Sequence, residues 1–338
     1  MNLSPEPGET AARDSLEAIA ELVRDNRKFL LTTHEGPDGD ALGSLLGTQK
    51  MLKSLGKDSV MFLAAKEFPL PIEYLHLPLE DVFHEPPADL RDRVVIFLDC
   101  GNIDRMPVDF LRDGGKTVVN IDHHHDNTRF GEFNFVDSGA SSTAEIVFEL
   151  AVVLDVKISP AMARALYIGI VTDTGKFMYD STDARTHEVA AALVEAGVDI
   201  DDVNRRLYES VPIEKVKLLS RALGKVELHC DGALIMTCIT AEDYELAGAG
   251  EEMTEGIIDH LRAVDGVRAA AVIKDQVSRG KAARKVSLRS GDSWTDVSAI
   301  ARRFGGGGHV RAAGCSTELG FEEIVAEICE ALAEQPES

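Results

Sequence analysis

The chain reads as an α/β protein: an N-terminal domain built on a parallel sheet with helices on both faces, followed by a smaller C-terminal α/β domain. Three observations predict this. Short apolar runs end abruptly in acid or histidine and give way to helical periodicity, the strand–loop–helix unit of an open parallel sheet. The run Val94–Leu98 is apolar throughout, as in a strand buried on both faces. Beyond Gly224 the texture changes to hairpin-like strands around Asp231-Gly232. The length of 338 residues permits two domains. Their expected spans are 1–208 and 226–338, with a helical linker over 209–225.

In chain order, Ser15–Asn26 has the apolar spacing of an amphipathic helix, with Leu16, Ile19, Ala20, Leu22 and Val23 on one face. Phe29–Thr33 is a short strand that stops at His34-Glu35-Gly36-Pro37-Asp38-Gly39-Asp40, and a helix follows over Ala41–Leu55. Strands are expected at Val94–Leu98 and Thr117–Ile121. Ser141 and Ser142 can cap a helix from Thr143 to Leu154. Ser159-Pro160 opens the next, with proline at the first helical position. Further helices are expected over Ala184–Ala196, Asp201–Tyr208 and Ile213–Leu223. The second domain should hold strands at Val226–Leu228, Ala233–Ile239, Val267–Lys274 and Lys285–Leu288, the last two flanking a basic turn at Ser278–Lys281. Its helices should span Glu252–Val264, Val297–Phe304 and Phe321–Ala333.

Chemistry concentrates at the strand ends. In open α/β sheets ligands bind outside the carboxyl ends of the strands. His34, Asp38 and Asp40 follow the first strand, Asp99 the Val94–Leu98 strand, and Asp122-His123-His124 the Thr117–Ile121 strand. Asp and His together offer oxygen and imidazole ligands suited to Mn, Fe, Co or Zn. An acidic turn with Asp40 as helix cap explains part of the first motif but not His34. Asp173 enters from an apolar helix, where an unpartnered carboxylate is costly; a charge partner, a metal or a solvated helix end would each account for it. Four glycines, Gly305–Gly308, precede His309 and Arg311. They fit either a flexible linker or a backbone that offers N–H groups to an anion. No Lys-Ser or Lys-Thr follows them, so this is not a Walker loop.

Composition sets limits. There are 35 basic and 58 acidic residues, a net charge of −23, which argues for solubility and against a basic groove for long nucleic acid. No run of 18 apolar residues is present, so no membrane partner is expected. The first 17 residues are polar and lack the apolar core of a secretory signal. The five cysteines (Cys100, Cys230, Cys238, Cys315, Cys329) are widely spaced and form no C-x-x-C pair, which predicts reduced thiols and a cytoplasmic location.

Taken together, His34-x-x-x-Asp38-x-Asp40, Asp99, Asp122-His123-His124 and Asp173 resemble the four metal motifs of the DHH phosphoesterase superfamily. Gly305–Gly308, His309 and Arg311 resemble the glycine-rich motif of its DHHA1 subdomain. The resemblance covers the chain from about Leu16 to Ala333 and points to the bacterial oligoribonuclease and pAp phosphatase branch. It implies a centre of two Mn²⁺ per chain, with Mg²⁺ or Co²⁺ as substitutes. His34 and Asp38 would hold one metal and Asp40, His123 and Asp173 the other, with Asp99 bridging. Asp122 would orient a histidine, and His124 would reach the substrate phosphate or leaving group. Arg105, Asn127, Ser287, Arg289, Gly306, Gly307, Gly308, His309 and Arg311 would contact substrate, whereas Arg284 and Lys285 fit a solvated strand face. The implied activity is hydrolysis of short oligonucleotides (nanoRNA, pApA) to mononucleotides, and of pAp to AMP. A cyclic di-AMP phosphodiesterase and a non-catalytic nucleotide-sensing module are the other readings, the latter disfavoured by the intact ligand set. A homodimer is a family-level expectation.

Overall fold

The structure, a computed structural model, describes residues 14–105, 110–113, 117–277 and 284–336. The basic turn expected at Ser278–Lys281 lies outside the described residues. The chain divides into two compact units, Met1–Leu70 with His76–Glu209, and Pro71–Leu75 with Ser210–Ser338.

In the first unit the main elements are α1 (Leu16–Asp25), β1 (Lys28–Thr32), α2 (Gly39–Ser54), β2 (Asp58–Phe62), β3 (Val82–Phe83), β4 (Val94–Leu98), β5 (Thr117–Asp122), β6 (Phe133–Val136), α3 (Thr143–Val153), α4 (Pro160–Asp173) and α5 (Ala184–Glu195), with short helices at Phe110–Asp113 and Ile200–Asn204. Six parallel strands run in the order β3-β2-β1-β4-β5-β6. The order reverses between β1 and β4, and a crevice at the carboxyl ends of such a switch point is where α/β sheets place ligands. β4 is buried along its whole length. Helices α2, α3 and α4 pack on one another. Leu30, Phe62, Val95, Phe97 and Leu111 form a further cluster, edged by the T-shaped ring pairs Phe62–Phe110 and Phe97–Phe130. Gly169 permits the approach of α4: a Cβ there would lie 2.5 Å from Ala144 Cβ and 2.8 Å from an Asp40 oxygen.

The second unit holds α6 (Ile213–Leu223), β7 (Glu227–His229), β8 (Leu234–Ile239), α7 (Ala241–Ala247), α8 (Ile257–Arg262), β9 (Ala269–Asp275), β10 (Arg284–Ser290), α9 (Val297–Arg303), β11 (Gly307–Gly308), β12 (Ala312–Thr317) and α10 (Phe321–Ala333). The sheet order is β11-β12-β10-β9-β8-β7, antiparallel except for the parallel β8–β9 pair. One face packs Val286, Leu288 and Ile273 against α9 and α10. The other packs Ile235, Ile239, Ala270 and Val272 against α6, α7 and α8. Helix α6, read from the sequence as a linker, therefore contributes Leu218 and Ala222 to the second core.

Two expectations are corrected. Cys230 and Cys329 form a disulfide, with Cα atoms 5.7 Å apart, joining the β7–β8 turn to α10. Their separation of 99 residues put the pair beyond any spacing rule. Cys100, Cys238 and Cys315 take no part in a disulfide. The helix expected over Glu252–Val264 is shortened to Ile257–Arg262, because Gly256 at φ +84° takes the left-handed conformation and stops it from extending backward.

Candidate metal centre

Three strand ends converge. At the end of β1, Asp38 caps α2, its Oδ1 accepting the N–H groups of Asp40 and Ala41 at 3.1 Å each. Asp38 thus takes the capping role and remains exposed. Asp40 turns inward, 1% exposed. Its Oδ2 accepts from Thr143 N at 2.7 Å and its Oδ1 from Ala144 N at 2.9 Å and Ser44 Oγ at 3.2 Å. Asp99 follows β4 with φ +56°, a left-handed backbone that Asp tolerates better than most residues. Asp122 closes β5, and His123 and His124 follow it.

The donor atoms fall into two groups that share Asp99: His34, Asp38 and Asp99, and Asp40, Asp99 and His123. Within each, the ligand atoms all lie within 4.8 Å of one another. The two oxygens of Asp99 divide between them. Oδ2 lies 3.5 Å from His34 Nε2, and Oδ1 lies 3.6 Å from His123 Nε2. Asp173 Oδ2 lies 3.5 Å from His123 Nε2, and Asp40 Oδ2 3.8 Å from it. A third group comprises Asp99, Asp122 and His124.

The hydrogen bonds fix the tautomers. A carbonyl can only accept, so His34 Nδ1 donates to Glu35 O at 2.9 Å and His123 Nδ1 to Ala140 O at 3.3 Å. In a neutral ring each Nε2 then carries a lone pair aimed at carboxylates. A cation placed between them converts that repulsion into ligation, the arrangement usual for metal-binding histidines. The carboxylates give the same answer. Burial, then the charges of Asp99, Asp173 and Asp38, push the Asp40 carboxyl well above its usual range. Burial also raises Asp173, opposed by His123 and helped by Asp38 and Asp99, to about 6. Burial acts to raise Asp99 too, but when the rings are protonated at both nitrogens the His34 hydrogen bond and the charges of His124, His34 and His123 outweigh it and hold the group well below the carboxylate range. For Asp122, His124's charge and hydrogen bond likewise overcome burial and lower it. These carboxylates cannot all ionise comfortably beside each other without cations, so the donor set fits divalent metals.

His124 Nδ1 is 2.7 Å from Asp122 Oδ1. Asn127 Nδ2 in turn donates to Asp122 Oδ2 at 2.5 Å and to Asn120 Oδ1 at 2.7 Å. Asn127, expected at the substrate, is thus engaged in holding Asp122. Arg105 ends the turn Ile103–Arg105, and its side chain lies outside the described residues. Sequence reading missed Thr143, whose hydroxyl donates to Asp99 Oδ1 at 3.2 Å. The Ser-Ser-Thr run read only as a helix cap, and nothing local points it at Asp99.

In the second unit, strand register places Lys285 opposite Lys274, and Ser287 and Arg289 opposite Val272 and Ala270. Alternation puts Lys274, Lys285, Ser287 and Arg289 on one face. Arg284 belongs to the other face, over the Phe321 ring at 4.6 Å and donating to Leu319 O. Lys285 therefore sides with Arg289, apart from Arg284. The four glycines have a structural use. Gly305 and Gly308 have φ of +74° and +137°, and a Cβ on Gly306 would meet Gly314 O at 2.2 Å. The N–H groups of Gly305, Gly306 and His309 go to the carbonyls of Arg302, Ala301 and Ala312. The N–H groups of Gly305 and Gly306 are thereby committed to the C-terminal turn of α9, and that of His309 to the hairpin of β11 and β12, which carries His309 and Arg311 in its turn.

A doubly wound sheet whose switch point gathers buried carboxylates and imidazoles around one shared aspartate defines a class: an α/β protein with a candidate divalent-metal centre. Comparison with known proteins gives the particular family. Residues 28–170 match the DHH family, N-terminal domain, and residues 243–335 the DHHA1 domain. The chain is 31% identical over 328 residues to the bifunctional oligoribonuclease and PAP phosphatase NrnA of Thermus thermophilus, covering 95% of this chain and 94% of that one. Among solved structures it is similar to an exopolyphosphatase-related protein from Bacteroides fragilis, with a TM-score of 0.83, 24% identity and coverage of 94% and 95% of the two chains. It also shares its fold with RecJ in complex with Mn²⁺ from Thermus thermophilus, with a TM-score of 0.57 and 16% identity, covering 99% of this chain and 56% of that one. The chain belongs to the DHH family of phosphoesterases.

Proposed function

We propose that this protein is a metal-dependent phosphoesterase that hydrolyses short oligonucleotides to mononucleotides, and pAp to AMP. The observation that carries the reading is the sharing of Asp99 between two ligand groups, one oxygen toward each. The NrnA relative is named for both activities. A pair of divalent cations, Mn²⁺ by the hard donor set and by the Mn²⁺ of the RecJ structure, supplies Lewis acidity and lowers the pKa of water when bound.

The chain's own residues do the rest. His34 and Asp38 would hold one cation, Asp40, His123 and Asp173 the other, and Asp99 would serve both. Asp122 accepts the Nδ1 proton of His124 and stabilises its imidazolium, so Nε2 is the atom at which a proton passes to the leaving oxygen. Asn127 keeps Asp122 in place. In the second unit, Lys274, Lys285, Ser287 and Arg289 present a cationic strand face to substrate phosphate, with His309 and Arg311 on the adjoining hairpin. That local basic face on a chain of net charge −23 suits one or two phosphates rather than a long strand. Among the described residues no helix is long and apolar enough to cross a membrane.

The test is kcat/KM with Mn²⁺ on pAp, pApA, cyclic di-AMP and an RNA ladder from dinucleotide to 24-mer. Efficiency should be greatest at two to a few nucleotides and fall with length. Equal efficiency on dinucleotide and 24-mer, or no turnover on any member, would reject the reading.

A further inference from the structure

The N-terminus of α3 is built into the metal centre. Ser142, extended at φ −167°, caps the helix, its Oγ accepting Glu145 N at 3.2 Å. The first N–H groups of a helix have no partner within it. Here those of Thr143 and Ala144 close on the two oxygens of Asp40, at 2.7 and 2.9 Å. The Thr143 hydroxyl, fully buried, donates to Asp99 Oδ1 at 3.2 Å. Thr143 thus touches carboxylates from two different strand ends with two different groups. The oxygen it holds on Asp99 is the one on the His123 side, while Oδ2 is left to His34.

The turn is anchored from behind. Glu145, fully buried, accepts from Ser141 Oγ at 2.5 Å and Thr186 Oγ1 at 3.2 Å, and pairs with Arg185 at 2.9 Å. Arg185 is held in its turn by Asp137 and Glu149. Such a braced contact can fix the direction of a carboxylate lone pair, because the donor cannot drift with it.

We propose that Thr143 is a positioning residue that sets Asp99 Oδ1 and Asp40 for the second cation, the one served by Asp40, His123 and Asp173, and leaves the His34–Asp38 cation untouched. This rests on the assignment of Asp40 and Asp99 as ligands. The two oxygens of Asp99 are then unequal: Oδ1 is oriented by a hydroxyl and Oδ2 is not. Loss of the hydroxyl should loosen one site selectively.

The experiment is Mn²⁺ titration by calorimetry of the full, chelator-stripped chain, in wild type, Thr143→Val and Thr143→Ser. Valine keeps the shape and the backbone N–H, and serine keeps the hydroxyl. Wild type should take two equivalents. Thr143→Val should keep the first and bind the second about 10–100-fold more weakly, the usual effect of losing a partner that orients a ligand. Thr143→Ser should restore the second. A Thr143→Val isotherm superimposable on wild type overturns the inference while the metal-centre reading stands. Equal weakening of both equivalents, or failure of serine to rescue, overturns it as well, since that is what a general loss of structure produces. A wild-type chain that binds no Mn²⁺ overturns both readings. If the valine protein does not fold by circular dichroism, Thr143→Ala takes its place with the same two outcomes.

Discussion

At the scale of the residue, Asp99 carries two demands at once. It must ionise while buried, and its backbone sits at φ +56°. Asn is the one neutral substitute of the same shape that also tolerates the left-handed region. Asp99→Asn should therefore melt close to wild type in the metal-free state, whereas Asp99→Ala should lose about 1 kcal/mol or more to backbone strain. Thermal unfolding of the two variants, without metal, separates the conformational role from the charge. Asp122 makes a different prediction. It touches His124 and Asn127, so Asp122→Asn should lower kcat by about 10–100-fold while the protein stays folded. Steady-state kinetics at saturating Mn²⁺ will show this, and unchanged kcat would remove Asp122 from the site. The candidate cluster of acids and histidines was legible in the sequence because these residues stand directly after apolar strand runs. Thr143 was not, because its partners Asp40 and Asp99 are over 40 residues away and only the fold brings them to it.

At the scale of the element, legibility followed apolar content. β1, β4 and β5 are interior strands with apolar runs, interrupted in β5 only at Asn120, and were read within a residue or two. β2 and β6 escaped because polar residues interrupt their apolar runs, and β3 because it is only two residues long. Helix α7 escaped because its capping box uses Asp243, where a Glu or Gln would mark it from sequence. That same Asp243 ties α6 to α7: it receives Thr240 N at 2.8 Å and pairs with Arg221 at 3.0 Å and with Lys225. Burial raises its carboxyl, but the bonds from Lys225 and Thr240 win and hold it at about 2. A depressed carboxylate stabilises the fold above its unfolded value of about 3.9 and loses that contribution as pH falls through its folded value. Asp243→Asn should thus be less stable than wild type at pH 5, with the gap closing toward pH 2. Denaturant midpoints at the two pH values test this, and a gap independent of pH would contradict it. On the neighbouring strand, Arg289→Ala should weaken substrate binding by about 1.5–3 kcal/mol, the worth of one charged hydrogen bond, without changing Mn²⁺ affinity.

At the scale of the whole molecule, two features act together: a charge of −23 and a single disulfide. The charge argues against a long basic groove for nucleic acid. The disulfide could not be read, because widely spaced cysteines carry no local signal and only the fold of the second unit brings Cys230 to Cys329. It closes a long loop, so its reduction should lower the stability of the second unit by about 2–4 kcal/mol. Denaturation with and without reductant measures that, and identical curves would contradict the pairing. The candidate metal centre lies in the first unit, away from this bridge in sequence, and should keep its Mn²⁺ affinity when the bridge is reduced. The central claim concerns that centre: Asp99 joins two cation sites into one hydrolytic site. Equilibrium dialysis against Mn²⁺, paired with pApA turnover on the same samples, tests it most directly. Wild type should hold two Mn²⁺ per chain and hydrolyse pApA, while folded Asp99→Asn should retain neither the full pair nor measurable turnover. An Asp99→Asn protein that keeps two Mn²⁺ and near wild-type turnover would contradict it.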